Sequence, residues 1–274
     1  MTKQGPIGVF DSGYGGLTIL RELVQEMPEY DFLYLGDNAR APYGNRSFDT
    51  VHEYTLQCVN RLFEQGCRLV VLACNTASAK ALRTIQQKDL PLMEKGLRVL
   101  GVIRPTTEII GNYTKTRHVG VLGTSGTVNS GSYILEIEKY FPDIKVYQQA
   151  CPMWVPLIEN NEYNNPGADY FIKKYLDEMF RQSPSIDTLI LGCTHYPILI
   201  DQIRKQVPPH ITILSQGPIV AKSLKDYLLR HPDCDVACSR SGRVDFLTTD
   251  DPENFDTHSR IFYGSEVKSK HLAL

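Results

Sequence analysis

The chain has 274 residues, of which 42% are hydrophobic and 22% charged, the balance of a folded globular protein rather than a disordered one. Its 29 basic and 31 acidic residues leave a formal net charge of -2, so we expect no nucleic-acid partner. No apolar run approaches the roughly 20 residues that cross a bilayer. The first residues, MTKQGPIGVFDSG, lack the apolar core of a signal peptide, and we predict a cytoplasmic protein without a membrane partner.

Short apolar runs alternate with longer amphipathic segments along the chain. The runs are rich in β-branched residues and are often followed by Gly, Ser or Thr, which is typical of strands. We predict strands at 7–10, 31–37, 69–74, 97–102, 118–124, 144–150, 188–193, 211–216 and 243–249. The clearest helices are predicted at 15–27, 49–66 and 167–183. This alternation predicts an α/β fold with mostly parallel sheets flanked by helices.

Two pairs of segments suggest an internal repeat. IGVFDSG (7–13) aligns with VGVLGTS (119–125), and VVLACNT (70–76) aligns with LILGCTH (189–195), at similar distances along the chain. A repeat would give two related α/β units and would make Cys74 the counterpart of Cys193. The alternative, that buried strands of this kind simply resemble one another, stays open.

Polar residues follow four predicted strands at their carboxyl ends, where parallel α/β sheets form ligand sites. We expect each cluster to open a helix, whose free N–H groups would favour an anion such as a small carboxylate. The clusters are Asp11-Ser12-Gly13, Cys74-Asn75-Thr76, Gly123-Thr124-Ser125 and Cys193-Thr194-His195. Asp11 in particular needs a partner, because an unpaired carboxylate beside an apolar strand is unfavourable.

The sequence carries no cofactor or metal pattern. The glycines of DSGYGGL do not match the dinucleotide-binding pattern G-x-G-x-x-G, and no phosphate-binding G-x-x-x-x-G-K-[ST] loop is present. Cys234 and Cys238 have no second Cys/His pair at zinc-ligand spacing. Cys58 and Cys67 fit packing positions, Cys151 is ambiguous, and we expect the seven cysteines to be free thiols. We therefore predict no cofactor and no metal.

Cys74 and Cys193 differ from the other cysteines because each ends a strand and precedes hydroxyl or imidazole groups. A helix N-terminus would favour the thiolate, the reactive form of a thiol, and His195 can exchange a proton near neutral pH. Two thiols on opposite sides of one molecule can invert a stereocentre. One thiolate removes a proton from carbon, and the other thiol returns a proton to the opposite face. Such a site must also stabilise the carbanion with oriented donors and exclude water.

Four segments carry a resemblance to a known family. They are FDSGYGGLT (10–18), GDNARAPYGNRS (36–47), ACNTAS (73–78) and LGCTHYP (191–197). In order and spacing the chain resembles the bacterial glutamate racemases, within the cofactor-independent aspartate/glutamate racemase superfamily. The resemblance implies two pseudo-symmetric α/β domains with the active site in the cleft between them. It places residues 1–98 and 214–274 in the first domain and residues 99–213 in the second.

The resemblance also implies roles for individual residues. Cys74 would act on the D-enantiomer and Cys193 on the L-enantiomer, with Asp11 and His195 as auxiliary catalytic groups. The implied substrate-binding residues are Asp11, Ser12, Tyr43, Gly44, Asn75, Thr76, Thr124, Thr194 and His195. The reaction would need neither pyridoxal nor metal, would supply D-glutamate for peptidoglycan, and would be carried out by a homodimer.

Two features depart from the family pattern. Tyr14 stands where relatives often carry a small or aliphatic residue, and Ser215-Gln216 stands where many have an acidic residue. Both bear on loop packing and domain closure rather than on the thiols.

Three other functions stay open. The first is a racemase for aspartate or another amino acid, with the same chemistry in a different pocket. The second is a non-catalytic α/β protein that closes on a small carboxylate. The third is a cysteine hydrolase using Cys193 and His195, although two residues along a chain is an awkward spacing for a general base.

Overall fold

A computed structural model describes residues 4–274, and within them ten strands form two parallel sheets. The first sheet has the order β10-β9-β2-β1-β3-β4 and the second the order β6-β5-β7-β8. The strands are β1 (Ile7–Asp11), β2 (Phe32–Gly36), β3 (Leu69–Leu72), β4 (Arg98–Gly101), β5 (His118–Gly123), β6 (Lys145–Ala150), β7 (Thr188–Gly192), β8 (Thr212–Leu214), β9 (Val244–Thr248) and β10 (Ser269–His271). The predicted α/β class with mostly parallel sheets is confirmed.

Helices flank both sheets. The α-helices are α1 (Leu17–Glu26), α2 (Phe48–Glu64), α3 (Asn75–Lys80), α4 (Leu82–Thr84), α5 (Ile103–Thr107), α6 (Ser125–Asn129), α7 (Ser132–Tyr140), α8 (Trp154–Glu159), α9 (Pro166–Gln182), α10 (Ile200–Gln206), α11 (Gly217–Arg230), α12 (Pro232–Asp235) and α13 (Pro252–Tyr263). Shorter 3-10 turns occur at Asn38–Arg40, Leu90–Leu92, Ile110–Asn112 and Tyr196–Leu199, and a π turn at Ile85–Asp89. No helix within residues 4–274 combines the length and apolar character that a membrane span requires.

The two sheets share a common arrangement of strands. In the first, β1 lies between β2 and β3; in the second, β5 lies between β6 and β7. The segments aligned in the sequence therefore occupy equivalent strands, β1 with β5 and β3 with β7. This confirms the predicted pseudo-symmetry, and it places Cys74 and Cys193 at equivalent strand ends.

Burial on both faces explains the near-continuous apolar runs of the central strands. Val9 and Val71 point to one side of the first sheet, into a cluster that continues through the second sheet. Phe10 and Leu72 point to the other side, towards α2. Successive residues of a strand alternate between faces, so a strand covered on both sides needs apolar residues throughout.

The chain crosses from the first sheet to the second after β4 and returns after β8. At these crossovers the side-chain amide of Gln216 donates to the carbonyl oxygen of Val102, with 3.0 Å between Nε2 and O. After the return, α11 packs against α1, and β9 and β10 extend the first sheet. The domain limits at residues 98/99 and 213/214 stay a prediction. The pairing of β4 with β3 would move the first limit beyond residue 101.

Candidate active site

A small cavity of about 100 Å³ lies where the carboxyl ends of the two sheets meet. It brings together residues that are far apart in the sequence. Ten predicted site residues line it: Ser12, Tyr43, Gly44, Cys74, Asn75, Thr76, Thr124, Cys193, Thr194 and His195. Asp11 lies immediately behind this lining and is 1% exposed. The two thiols thus face one shared cavity rather than two separate ones.

The first thiol lies at the start of α3. Sγ of Cys74 accepts a hydrogen bond from the backbone N–H of Ala77 and lies near Oγ of Ser12, both at 3.4 Å. Burial nevertheless raises the pKa of the Cys74 thiol to about 12, and the nearby charge of Asp11 adds to the rise. The N–H of Ala77 at the helix N-terminus favours the thiolate, as predicted, but desolvation outweighs it and leaves the pKa of Cys74 raised.

Asp11 carries a carboxyl group that burial makes unusually basic. Its pKa is raised to about 6 by burial, while the positive charge of His195 and hydrogen bonds from Gly16 and Gly13 act in the opposite direction. Oδ2 accepts from the backbone N–H of Gly13 at 3.0 Å, but Oδ1 has no hydrogen-bond partner within residues 4–274. A buried, unpaired carboxylate oxygen next to a cavity suits a cationic group of a ligand.

The second thiol has a cationic neighbour. Nδ1 of His195 lies 3.9 Å from Sγ of Cys193, and Nε2 lies 2.9 Å from Oε1 of Glu159. Burial by itself would lower the pKa of His195, but the hydrogen bonds with Cys193 and Glu159 outweigh it and raise the pKa to about 10. The expectation that His195 titrates near neutral pH is therefore wrong, because its two neighbours stabilise the imidazolium.

The expectation that each polar cluster opens a helix holds for two of the four. Cys74 caps α3, and the hydroxyl of Thr124 caps α6 by accepting from the N–H of Thr127 at 3.2 Å. After Asp11, however, a turn intervenes and α1 begins only at Leu17. After Cys193 the chain enters a 3-10 turn, which begins at Tyr196.

The turn after β1 has to admit the loop of the other sheet. A Cβ atom on Gly15 would lie 2.3 Å from both Nδ1 of His195 and Oγ1 of Thr194, so a side chain there would displace the histidine. The hydroxyl of Thr18 donates to the carbonyl oxygen of Thr194 at 2.9 Å. The glycine and the threonine therefore hold the Cys193 loop against the first sheet.

Polar groups surround the rest of the cavity. The hydroxyls of Thr76 and Thr124 lie 2.9 Å apart, and Nδ2 of Asn75 is buried without an acceptor within residues 4–274. Tyr43 lines the cavity, but its hydroxyl donates to the buried carboxylate of Asp37. Within the lining, the groups that remain available to a ligand are thus chiefly the Asn75 amide and the threonine hydroxyls, and the Asp11 carboxylate lies immediately behind them.

Among the lining residues that were not predicted as site residues, two carry a titratable side chain. Glu159 at the end of α8 pairs with His195, and Cys151 follows β6 at its carboxyl end. The expectation that ligand sites form at the carboxyl ends of strands could have selected Cys151. Burial raises the pKa of its thiol strongly, and the thiol approaches the carbonyl oxygen of Gln149 at 3.6 Å. Nothing in the local sequence distinguishes Glu159 from an exposed helical glutamate.

The remaining cysteines take no part in the cavity. Cys58 and Cys67 are buried in the core beside α2, as predicted. The thiol of Cys238 approaches the carbonyl oxygen of Cys234 at 3.3 Å. Within residues 4–274, no cluster of three or more His, Cys, Asp or Glu side chains has an arrangement suited to a metal ion.

Comparison with known proteins identifies the family. Residues 7–224 match the family described as Asp/Glu/Hydantoin racemase. The chain is 40% identical to a glutamate racemase of Persephonella marina over 98% of this chain and 97% of that protein. It superposes on a Bacillus anthracis glutamate racemase with a TM-score of 0.89 and 31% identity, covering 99% of this chain and 98% of that one. A Francisella tularensis glutamate racemase in complex with D-glutamate matches with a TM-score of 0.87 and 32% identity, over 100% and 98% of the two chains. The chain therefore belongs to the Asp/Glu/hydantoin racemase family.

Proposed function

We propose that this protein is a glutamate racemase that interconverts L- and D-glutamate with two cysteines and without a cofactor. The observation that carries the proposal is that Cys74 and Cys193, on equivalent strands of two sheets, line one small cavity. Full-length relatives named glutamate racemase support glutamate as the substrate, as does the similar structure that holds D-glutamate.

Glutamate presents one ammonium and two carboxylate groups, and unpaired partners of both kinds lie in the cavity lining or immediately behind it. The free Oδ1 of Asp11 suits the α-ammonium, and the free Nδ2 of Asn75 suits a carboxylate. The hydroxyls of Thr76 and Thr124 and the loops at Ser12 and Thr194 supply further polar contacts around the same space. We assign substrate binding to these residues together with Tyr43 and Gly44.

The proposed reaction moves protons only. Starting from L-glutamate, the Cys193 thiolate accepts the α-proton, and the electron pair of the broken C–H bond stays on the substrate as a carbanion. The Cys74 thiol then donates its proton to the opposite face and becomes a thiolate, and D-glutamate leaves. The reverse reaction begins with the Cys74 thiolate. Before another turnover from L-glutamate, Cys193 loses its proton to solvent and Cys74 takes one up from solvent.

The surrounding groups favour this starting arrangement. The imidazolium of His195, held by Glu159, attracts negative charge at Sγ of Cys193. Burial and the carboxylate of Asp11 keep Cys74 protonated. A buried site also strengthens every donor that stabilises the carbanion, because little water screens it. His195 and Asp11 are therefore proposed as auxiliary groups for the two thiols.

The proposal is tested by assaying racemisation of both enantiomers of glutamate, by polarimetry, on enzyme dialysed against a chelator and supplied with no cofactor. We expect both to racemise. A strong preference for aspartate in a panel of amino acids would favour a related racemase instead. Failure to racemise any amino acid would contradict the proposal.

Alkylation of the thiols separates an enzyme from a binding protein. A small reagent that modifies Cys74 or Cys193 should abolish racemisation, and glutamate should slow the modification. A protein that only binds a carboxylate would have no racemisation to lose. A cysteine hydrolase would instead consume its substrate under the same assay.

Two further parts of the proposal rest on the family resemblance. The product D-glutamate would supply peptidoglycan synthesis, which growth of a D-glutamate-requiring bacterium expressing this chain would test. The chain would also form a homodimer, which sedimentation in solution would test.

A further inference from the structure

The Asn75 side chain is held by one end only. Its Oδ1 accepts a hydrogen bond from the hydroxyl of Tyr133, with 2.8 Å between the oxygens. Its Nδ2 is buried and has no acceptor within residues 4–274, and the residue lines the cavity. A carboxamide carries an acceptor oxygen and a donor nitrogen on the same carbon, so a hydrogen bond that fixes the oxygen also decides where the nitrogen points. Here the donor is left for a ligand.

Tyr133 reaches Asn75 from the other half of the molecule. It lies on α7, beside the second sheet, and is fully buried, whereas Asn75 begins α3 at the end of β3 in the first sheet. The hydrogen bond therefore forms only where the two halves meet. None of the family motifs includes Tyr133, and its ring packs with the core residues of the second sheet.

The direction of the contact between Tyr133 and Asn75 follows from the groups themselves. A tyrosine hydroxyl carries one hydrogen, and here it donates that hydrogen to Oδ1 of Asn75. Gln216, at the crossover between the sheets, directs both hydrogens of its amide elsewhere, to the carbonyl oxygen of Val102 at 3.0 Å and to Oγ1 of Thr106 at 3.3 Å. The Asn75 amide is therefore held by Tyr133.

We propose that Tyr133 is a positioning residue that holds the Asn75 amide with Nδ2 towards the cavity, where it donates to a carboxylate of glutamate. The inference rests on the proposed function. Without the Tyr133 hydroxyl, the Asn75 amide can rotate by half a turn and present its oxygen to the substrate carboxylate, which repels it. Tyr133 thereby makes carboxylate binding depend on contact between the two halves of the protein.

The decisive variant is Tyr133→Phe, which removes only the hydroxyl. We expect KM for both enantiomers to rise about tenfold, with kcat within about threefold of the wild-type value, because a contact made equally in the ground and transition states affects KM. Tyr147→Phe is the matched control, since its hydroxyl meets His118 on β5 instead. The control should keep wild-type constants. An unchanged KM in folded Tyr133→Phe would overturn the proposal.

A double variant tests whether Tyr133 acts through Asn75. In an Asn75→Ala background, Tyr133→Phe should raise KM no further, because the amide that it orients is gone. A full additional tenfold rise would mean that Tyr133 acts independently, and would overturn the proposal. A wild-type protein that does not racemise glutamate would instead contradict the proposed function itself.

A structure of the wild-type protein with bound glutamate provides a second route if Tyr133→Phe does not fold. We expect the Asn75 side chain to lie between the Tyr133 hydroxyl and a carboxylate of glutamate, within hydrogen-bond distance of both. An Asn75 side chain that contacts only one of the two would overturn the proposal.

Discussion

Cys74 and Cys193 occupy equivalent positions in the two sheets but have opposite electrostatic surroundings. Cys74 has the carboxyl group of Asp11 nearby, and the pKa of its thiol is raised to about 12 by burial and by that charge. Cys193 has the imidazolium of His195 at 3.9 Å. The two equivalent strand ends therefore place an acidic group beside Cys74 and a cationic group beside Cys193.

This difference shows how a repeated fold can serve an asymmetric reaction. A two-cysteine racemase needs one thiol and one thiolate at a time. In two identical halves, nothing would decide which cysteine carries the proton. Here the buried carboxyl group of Asp11 lies beside Cys74, and the His195–Glu159 pair lies beside Cys193. In our account these different neighbours suit Cys193 to be the base for L-glutamate and Cys74 to be the acid.

The largest effect is expected on removing either thiol. Cys74→Ala and Cys193→Ala should each lower the racemisation rate about 10³-fold or more, because each removes the acid or the base that the reaction requires. Circular dichroism of glutamate measures the rate. Cys67→Ala, in the core, is the control. Retention of more than a tenth of the activity in either active-site variant would mean that one base suffices.

A smaller and direction-dependent effect is expected at His195. His195→Asn should lower kcat/KM about 10- to 100-fold, because the cation that supports Cys193 is lost. The two enantiomers have equal free energy, so kcat/KM must fall equally in both directions. The asymmetry should appear in the isotope effect on Cα-deuterated substrate, which should grow for L-glutamate more than for D-glutamate.

The matching control is His52→Asn. His52 lies on α2, pairs with Asp89 and is outside the cavity. Its isotope effects should match those of the wild-type protein. An equal growth of both isotope effects in His195→Asn would show that His195 does not serve Cys193 selectively.

Asp11→Asn should stabilise the protein above pH 6 while lowering activity. The folded-state pKa of about 6 lies above the ordinary value of 3.8, so the folded protein holds the proton more tightly and loses stability as pH rises between those values. The loss corresponds to about 3 kcal/mol at pH 8. Urea unfolding should therefore show a gain of up to that size at pH 8 and none near pH 4.

Asp187→Asn is a control of opposite sign. Burial would raise the pKa of Asp187, but hydrogen bonds from Thr116, Thr114 and Lys115 outweigh it and lower the pKa to about 2. Its stabilising effect is present above the ordinary value and is lost as pH falls towards 2. The variant should be destabilised at pH 8. The same sign for both variants would contradict the assigned pKa shifts.

The smallest effect is expected at Tyr14, which the resemblance singled out as a departure from the family pattern. Its ring stacks on Phe255 and Phe262 of α13, with centroids 5.5 and 6.1 Å away. Tyr14→Leu should lower the free energy of unfolding by about 1 kcal/mol and change kcat less than about threefold. Tyr14→Phe, which keeps the stacking, should be nearly neutral in thermal melts. A tenfold loss of kcat would place Tyr14 in the reaction instead.

The strands and their symmetry could be predicted from the sequence because their burial on both faces leaves a strong apolar signal. All nine predicted strands occur, with ends within two residues of the prediction. The tenth, Ser269–His271, was missed because this edge strand is polar and largely exposed. Strand ends also located the two thiols and the polar clusters.

Contacts between distant parts of the chain could not be predicted in the same way. Tyr133 meets Asn75 because the two sheets pack with their strand ends together. Glu159 meets His195 because α8 packs beside the turn that follows β7 within the second half. Such contacts join residues separated by 36 and 58 positions and leave no local pattern. The protonation of His195 depends on its contact with Glu159, which is why its titration near neutral pH was wrongly predicted.

The most direct test of the two-thiol reaction is hydrogen exchange at Cα in deuterated water. D-glutamate and L-glutamate are incubated separately with the enzyme, and early product and remaining substrate are analysed by mass spectrometry. The account predicts that the product carries deuterium while unreacted substrate keeps its protium, because the incoming proton comes from a different thiol than the one that took the first. Product that keeps the protium of its substrate would contradict it.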